Sequence, residues 1–200
     1  MSGSPKLSFL TASYNRPDYL EEAIRSVEAQ TDPDWEHLVY DHSTDPRVRE
    51  VLRAARARNP DRFFFASPEI HGPPRPSLYW NILAGLVRGR YLSILDDDNR
   101  KHPEFLTRTT APMEINPEVD AVSCGWRRID GAGELIDECH WNIATNERNL
   151  YKSNTVDSNA WAFRRLAIFD QIVFFRTDLA TCEDWDLTIR LHRGGRVEHL

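Results

Sequence analysis

Short apolar runs alternate with helix-period segments from residue 7 to residue 99, and each run stops abruptly at polar residues. Leu7, Phe9 and the Leu10–Ala12 stretch suit a buried strand. Ser13-Tyr14-Asn15-Arg16 then forms a loop, and Pro17 opens a helix at a position where its missing N–H costs nothing. Leu20, Ala23, Ile24 and Val27 share one face of that helix, which is expected to run to about Gln30. A turn at Asp32-Pro33-Asp34 leads to a second strand, His37–Tyr40, which gives way to Asp41-His42-Ser43-Thr44-Asp45. The next helix sets Val48, Val51, Leu52 and Ala55 against Arg49, Arg53 and Arg56, and Phe63–Phe65 reads as a third strand. A helix over Leu78–Val87 precedes strand Tyr91–Leu95, which ends in Asp96-Asp97-Asp98-Asn99. Such alternation calls for an α/β domain with a mainly parallel sheet. Ligands of these sheets bind beyond the carboxyl ends of the strands, so the polar runs after the first, second and fourth strands are expected to converge.

After Pro103 the rhythm changes. A helix over about Glu104–Met113 is followed by an apolar strand at Ala121–Trp126 and a hairpin over Arg127–Ile136 with a Gly-rich turn. Trp141–Asn159 is polar and irregular and suits a binding loop. Trp161-Ala162-Phe163 and Phe174-Phe175 are apolar, and a last helix begins near Cys182. No repeat and no Gly/Ser linker divides the 200 residues, so one domain over 1–200 is expected.

Composition removes several function classes. The charge balance is 25 Lys and Arg against 31 Asp and Glu, a net of −6, which disfavours nucleic-acid binding by bulk charge. No apolar run approaches the ~20 residues that span a bilayer, and the N-terminus lacks the hydrophobic region of a signal peptide. The expectation is a cytoplasmic protein without a transmembrane segment, with peripheral contact at the inner membrane face left open. Three cysteines, odd in number and without a CxxC pair, fit reduced thiols better than a disulfide frame or a zinc site. The histidines show no ligand spacing. Trp80, Trp126, Trp141, Trp161 and Trp185 read as core before they read as stacking platforms.

Asp96-Asp97-Asp98 is the sharpest local feature. Adjacent carboxylates repel unless a cation or solvent screens them, and hard divalent cations such as Mg2+ or Mn2+ take oxygen ligands shared with substrate phosphates. A solvated acidic turn is the plainer reading of the tripeptide alone; its place at the end of an apolar strand favours a metal held against a pyrophosphate. Glu183-Asp184 at a helix start suits either the macrodipole or a general base near such phosphates. Asp41 is either a strand-end turn residue or a hydrogen-bond acceptor for a base or ribose.

Taken in order, Thr11–Leu20, Ser26–Glu36, Asp41–Asp45, Gly89–Asn99 and Cys182–Leu191 resemble a family 2 glycosyltransferase from residue 6 to the end of the chain. The resemblance implies a GT-A fold, a Rossmann-like three-layer sandwich. Its nucleotide-sugar-binding half would cover about 1–100 and its acceptor half about 101–200. It implies inverting transfer of a sugar from a nucleotide diphosphate, a UDP-sugar first, to an acceptor hydroxyl of a sugar, lipid-linked, protein or small-molecule acceptor. Asp41 would read the base, with Ala12 and Tyr14 lining the same pocket. Asp96 and Asp98 would form the metal-binding DxD pair with Mn2+ or Mg2+, Asp98 as the direct ligand, and Asp97 near the ribose or metal. Asp184 would be the catalytic base, flanked on the acceptor side by Glu183 and Trp185, with Trp141–Asn159 over the acceptor.

Two departures stand out. Asp41 stands alone before His42, where the family usually has two acidic residues and a Gly, and Trp80 occupies a place often held by Arg. Arg75 is a candidate to replace that charge at the phosphates. Two other readings stay open: a sugar-phosphate nucleotidyltransferase, which usually needs glycines after the first strand that Ser13–Arg16 lacks, and a non-catalytic nucleotide-sugar-binding module.

Overall fold

Seven consecutive residues, Leu7–Ser13, form the first strand (β1), buried along its whole length except for half-buried Ala12. The computed structural model describes residues 3–69, 73–139, 150, 157–170, 174–179 and 181–200. Two compact units divide the chain, Met1–Arg108 and Thr109–Leu200.

In the first unit β1 is followed by α1 (Pro17–Glu28), β2 (Trp35–Asp41), α2 (Pro46–Arg58), β3 (Phe63–Ala66), α3 (Pro76–Ala84) and β4 (Tyr91–Ile94). The strands lie in the order β3-β2-β1-β4 and pair in parallel throughout, as the alternation requires. The β1–β2 register runs from Leu7↔Trp35 to Ser13↔Asp41, so both strands release their polar loops at the same edge.

The helix faces follow the apolar period. Leu20 and Ile24 of α1, Val48, Leu52 and Ala55 of α2, Val39 of β2 and Phe63 of β3 form one buried cluster. Each large side chain buried there is worth about 1.5–3 kcal/mol. Arg56 departs from the expected polar face of α2: its guanidinium donates to the Phe63 carbonyl and lies over the Phe64 ring, so its charge serves the β3 edge. α1 ends at Glu28, two residues before Gln30, whose N–H donates to the Val27 carbonyl at 3.1 Å in a tightened last turn and whose side chain braces the segment that follows. Its amide donates to the carbonyls of Ser26 (3.1 Å) and His102 (2.8 Å) and accepts from the Leu106 N–H at 2.9 Å.

Away from the loop edge, Glu36 is 1% exposed. It accepts from Ser8 Oγ at 2.7 Å and from Arg88 N and Nε at 2.6 Å each. Gly89 fits beside this clamp only without a side chain, since a Cβ would lie 2.6 Å from Ser8 Oγ and 2.8 Å from the backbone of Ser8 and Tyr91.

The helix α4 (Phe105–Ile115) carries the chain into the second unit. The apolar run expected as one strand over 121–126 breaks at Cys124-Gly125 into β5 (Ala121–Ser123) and β6 (Trp126–Ile129). β6 pairs only with β7 (Leu135–Cys139) among the described residues, antiparallel, as the expected hairpin. Asp130 Oδ1 accepts the Ala132 and Glu134 N–H groups in its turn, and Gly133 takes φ 86°, a conformation open to glycine. β8 (Trp161–Arg164) pairs antiparallel with β5, and β9 (Val197–His199) pairs parallel with it. Helices α5 (Arg165–Asp170) and α6 (Glu183–Gly194) complete the unit. Trp80 and Trp161 are core residues, Trp126 and Trp185 are half-buried, and Trp141 lies outside the described residues. Of the loop expected over Trp141–Asn159, only Leu150 and residues 157–159 are described. No described helix is long and apolar enough to cross a membrane.

Candidate functional site

The β1 loop and the Asp96–Asp98 turn meet at the carboxyl edge of the first unit's sheet. The backbone N–H of Tyr14 donates to Asp97 Oδ2 at 3.0 Å. Arg16 Nη1 donates both to Asp97 Oδ1 (3.2 Å) and to Asp98 Oδ2 (2.6 Å). Burial pushes the Asp97 carboxyl up, against the downward pull of the Tyr14 N–H and of Arg16. The three carboxylates are thus unlike one another. Asp97 is 5% exposed and faces the β1 loop, Asp96 is half-buried, and Asp98 is 40% exposed at its side chain.

Asn15 splices the β1 loop to the β2–α2 loop. It holds φ 55°, a left-handed conformation that asparagine tolerates better than most residues. Its N–H donates to Ser43 Oγ at 2.8 Å, and its Oδ1 accepts from the Thr44 and Asp45 N–H groups at 2.8 and 2.9 Å. Asp45 in turn caps α2 by accepting from Arg47 N at 2.9 Å. The bracing roles of Asn15 and Arg16 were not assigned from the sequence; asparagine in a loop before a proline-led helix was the available signal.

Asp41 ends β2 facing inward. It is 1% exposed, with Oδ1 accepting from Ser43 N and Oδ2 from Ser67 Oγ, both at 2.8 Å. Ala12 lies opposite Tyr40 in the β1–β2 register. Tyr14 is 43% exposed, and its ring centroid lies 5.7 Å from that of His42. Arg75 is exposed at the N-cap of α3.

In the second unit, Glu183, Asp184 and Trp185 form the first turn of α6, and all three are half-buried. Cys182 caps the helix at φ 63°. Asp184 Oδ1 accepts the Trp185 N–H at 2.8 Å, and the Trp185 indole donates to the Leu150 carbonyl at 2.6 Å. That indole bond fixes the ring beside the acidic pair.

Among the described residues, no three His, Cys, Asp or Glu side chains come together as a metal cage. The donor set at the β4 turn nevertheless suits Mg2+ or Mn2+. These cations take oxygen ligands, and Mg2+ in particular is usually held by one or two carboxylates together with substrate phosphates. Asp96 and Asp98 supply such carboxylates, while Asp97 is engaged by the β1 loop.

Comparison with known proteins gives this geometry a family. The sequence profile described as Glycosyl transferase family 2 matches residues 8–173. Protein CgeD of Bacillus subtilis is 34% identical over 143 residues, covering 68% of this chain and 33% of that protein. Among solved structures, S. aureus TarS 1-349 in complex with UDP-GlcNAc superposes with a TM-score of 0.74 at 21% identity, over 98% of this chain and 56% of that one. The mannosyltransferase PcManGT from Pyrobaculum calidifontis, in complex with GDP-Man and Mn2+, gives 0.71 at 18% identity, over 100% of this chain and 55% of that one. At such identities the two structures establish the fold, which is of the GT-A type. This chain spans a third of CgeD's length and little more than half of each structure's.

Proposed function

Since this chain belongs to glycosyl transferase family 2, we propose that it moves a sugar from a nucleotide-diphosphate sugar to an acceptor hydroxyl in one inverting displacement. The observation that carries the reading is the meeting of Tyr14 and Arg16 with Asp97 and Asp98 at the sheet edge, where a doubly wound sheet takes its ligand. UDP heads the donor classes because TarS was crystallised with UDP-GlcNAc; GDP follows from the PcManGT complex.

In this reading Ala12 and Tyr14 line the base pocket, and Asp96 and Asp98 hold Mn2+ or Mg2+ against the diphosphate. The cation supplies charge that offsets the negative charge building on the leaving group. Asp97 lies near the ribose or metal and, through its bonds to Tyr14 N and Arg16, fixes the β1 loop against the turn. Arg75, exposed at the start of α3, adds positive charge for the phosphates. Asp184 takes the proton from the attacking hydroxyl, with Glu183 and Trp185 shaping the acceptor side. The acceptor is a sugar, lipid-linked, protein or small-molecule hydroxyl.

The test is a thermal-shift titration with UDP, GDP, dTDP and CDP, each with and without Mn2+, on the wild type and on Asp98→Ala. A ligand bound only by the folded state raises the melting temperature by mass action. The expected result is a shift for one nucleotide that depends on metal and disappears in Asp98→Ala. Nucleotide binding in that variant that responds to metal as in the wild type removes Asp98 from the site; no shift with any nucleotide and metal refutes the donor reading.

A further inference from the structure

His42, immediately after β2, is 5% exposed yet lines a cleft of about 340 Å3 with Ser43, Thr44, Asp45, Arg49 and Glu69. That volume falls in the ~300–1,000 Å3 range of small-molecule sites. The ring is held from two sides: Tyr14 packs against it at 5.7 Å, and Tyr79 meets it edge-on at 5.5 Å. Tyr79 is fixed in turn by stacking on Tyr40 at 4.5 Å.

The hydrogen bonds also engage one ring nitrogen and leave the other for a ligand. His42 Nδ1 lies 2.7 Å from Tyr79 Oη. With Nδ1 engaged by the phenol, Nε2 is the ring nitrogen left to meet a ligand. When the Tyr79 hydroxyl donates to Nδ1, the neutral imidazole carries its proton on Nε2, and that nitrogen is a donor. Asp41, the neighbouring acid, has both oxygens engaged by Ser43 and Ser67 and is 1% exposed.

We propose that His42, rather than Asp41, discriminates among nucleobases, its Nε2–H donating to a carbonyl oxygen of a base held beside Tyr14. The inference rests on the nucleotide-sugar reading above and deepens it. A carboxylate at this edge would select a base with a ring N–H, as in uracil or guanine. A fixed N–H donor selects a base with a carbonyl, which uracil, cytosine and guanine carry and adenine lacks.

The experiment measures Kd for UDP, CDP, GDP and ADP by calorimetry, with Mn2+ present, on the full chain. The variants are His42→Ala, His42→Gln, Tyr79→Phe and Asp41→Asn, each checked for folding by far-ultraviolet circular dichroism. ADP is expected to bind worst to the wild type. His42→Ala should weaken the best nucleotide about tenfold, the scale of one hydrogen bond made to a ligand, and leave ADP unchanged, so that the ranking compresses. His42→Gln, which keeps an N–H donor, should restore part of the ranking, and Tyr79→Phe, which loses the orienting hydroxyl, should compress it partway. An unchanged ranking in both His42→Ala and Tyr79→Phe overturns the proposal, as does a ranking that collapses in Asp41→Asn alone. If the wild type binds none of the four, the nucleotide-donor reading itself falls and this inference with it.

Discussion

His37 makes the fold sensitive to mild acid. Its side chain is completely buried in β2, edge-on to Phe63 at 5.4 Å and to Phe9 at 6.3 Å. One ring nitrogen, Nε2, lies 2.9 Å from Thr11 Oγ1, and Nδ1 has no hydrogen-bond partner. A second proton on this ring would therefore be charged, dry and unsatisfied. Burial first, and then the nearby Lys101 ammonium, pull its pKa from 6.5 down to about 3. The sign follows directly. Below pH 6.5 the unfolded chain takes up a proton that the folded chain refuses, so stability is whole above that pH and drains away as pH falls toward 3. At about 1.36 kcal/mol per pH unit, the loss from this residue between neutrality and pH 5 is on the order of 2 kcal/mol. Urea unfolding followed by circular dichroism, at neutral pH and near pH 5, on the wild type and on His37→Gln, isolates the contribution. Every other ionisable group is common to both proteins. The wild type should lose about 2 kcal/mol more than the variant; equal losses would refute the assignment of His37 as a neutral core residue.

Four further outcomes can be checked. Asp184→Asn should leave nucleotide affinity intact and slow sugar transfer at least ~100-fold, the usual scale for a general base; turnover near the wild-type rate would move the base elsewhere. Asn15→Ala must hold φ 55° without its side-chain bonds to Thr44 and Asp45, and should cost about 1–3 kcal/mol in urea unfolding. Gly89→Ala forces a Cβ to within 2.8 Å of backbone atoms of Ser8 and Tyr91 and should cost about 1–3 kcal/mol. Gly131→Ala, with nothing within 4 Å of the added atom, should stay within ~0.5 kcal/mol of wild type.

The elements that the sequence announced clearly are those with redundant local signals. α1 and α2 each begin with Pro at N1 and carry a continuous apolar stripe, and both appear close to where the pattern puts them. α3 shifts to Pro76–Ala84 because Pro76 and Gly85 mark its ends more strongly than the apolar residues that run on to Val87. The break at Cys124-Gly125 was hidden inside an apolar run that alone cannot separate one strand from two. At the candidate site, residue types were legible and partners were not. Arg16 and Asp97 are 81 residues apart in sequence, and only the parallel β1–β4 pairing brings their loops together. Asp41 was readable as an acid at a strand end, but its burial depends on Ser67, 26 residues away.

Asp41 and Asp97 illustrate why an acidic residue at a strand end is a poor guide to its own role. Both sit at the carboxyl edge of the sheet, and both have each oxygen bonded to a protein donor. For either carboxylate to turn toward a ligand it would have to give up part-buried hydrogen bonds that hold a loop, each worth about 0.5–1.5 kcal/mol. A flexible exposed neighbour meets no such barrier. Asp98 keeps 40% of its side chain in solvent and is bonded to Arg16, itself 51% exposed, a pair that exchanges partners at little cost because surface ion pairs are worth ~0–1 kcal/mol. In the proposed reading the division of labour is energetic: the buried acids fix the loops, and exposed Asp98, with half-buried Asp96, is left to a cation. By the same argument Asp97→Asn should disturb the position of the β1 loop more than it disturbs metal affinity, whereas Asp98→Asn should weaken Mn2+ binding and leave the stability of the fold within ~0.5 kcal/mol of wild type. Manganese titration by electron paramagnetic resonance, paired with urea unfolding of the same two variants, separates the roles, and a reversal of the two patterns would show that the buried acid, not the exposed one, holds the metal.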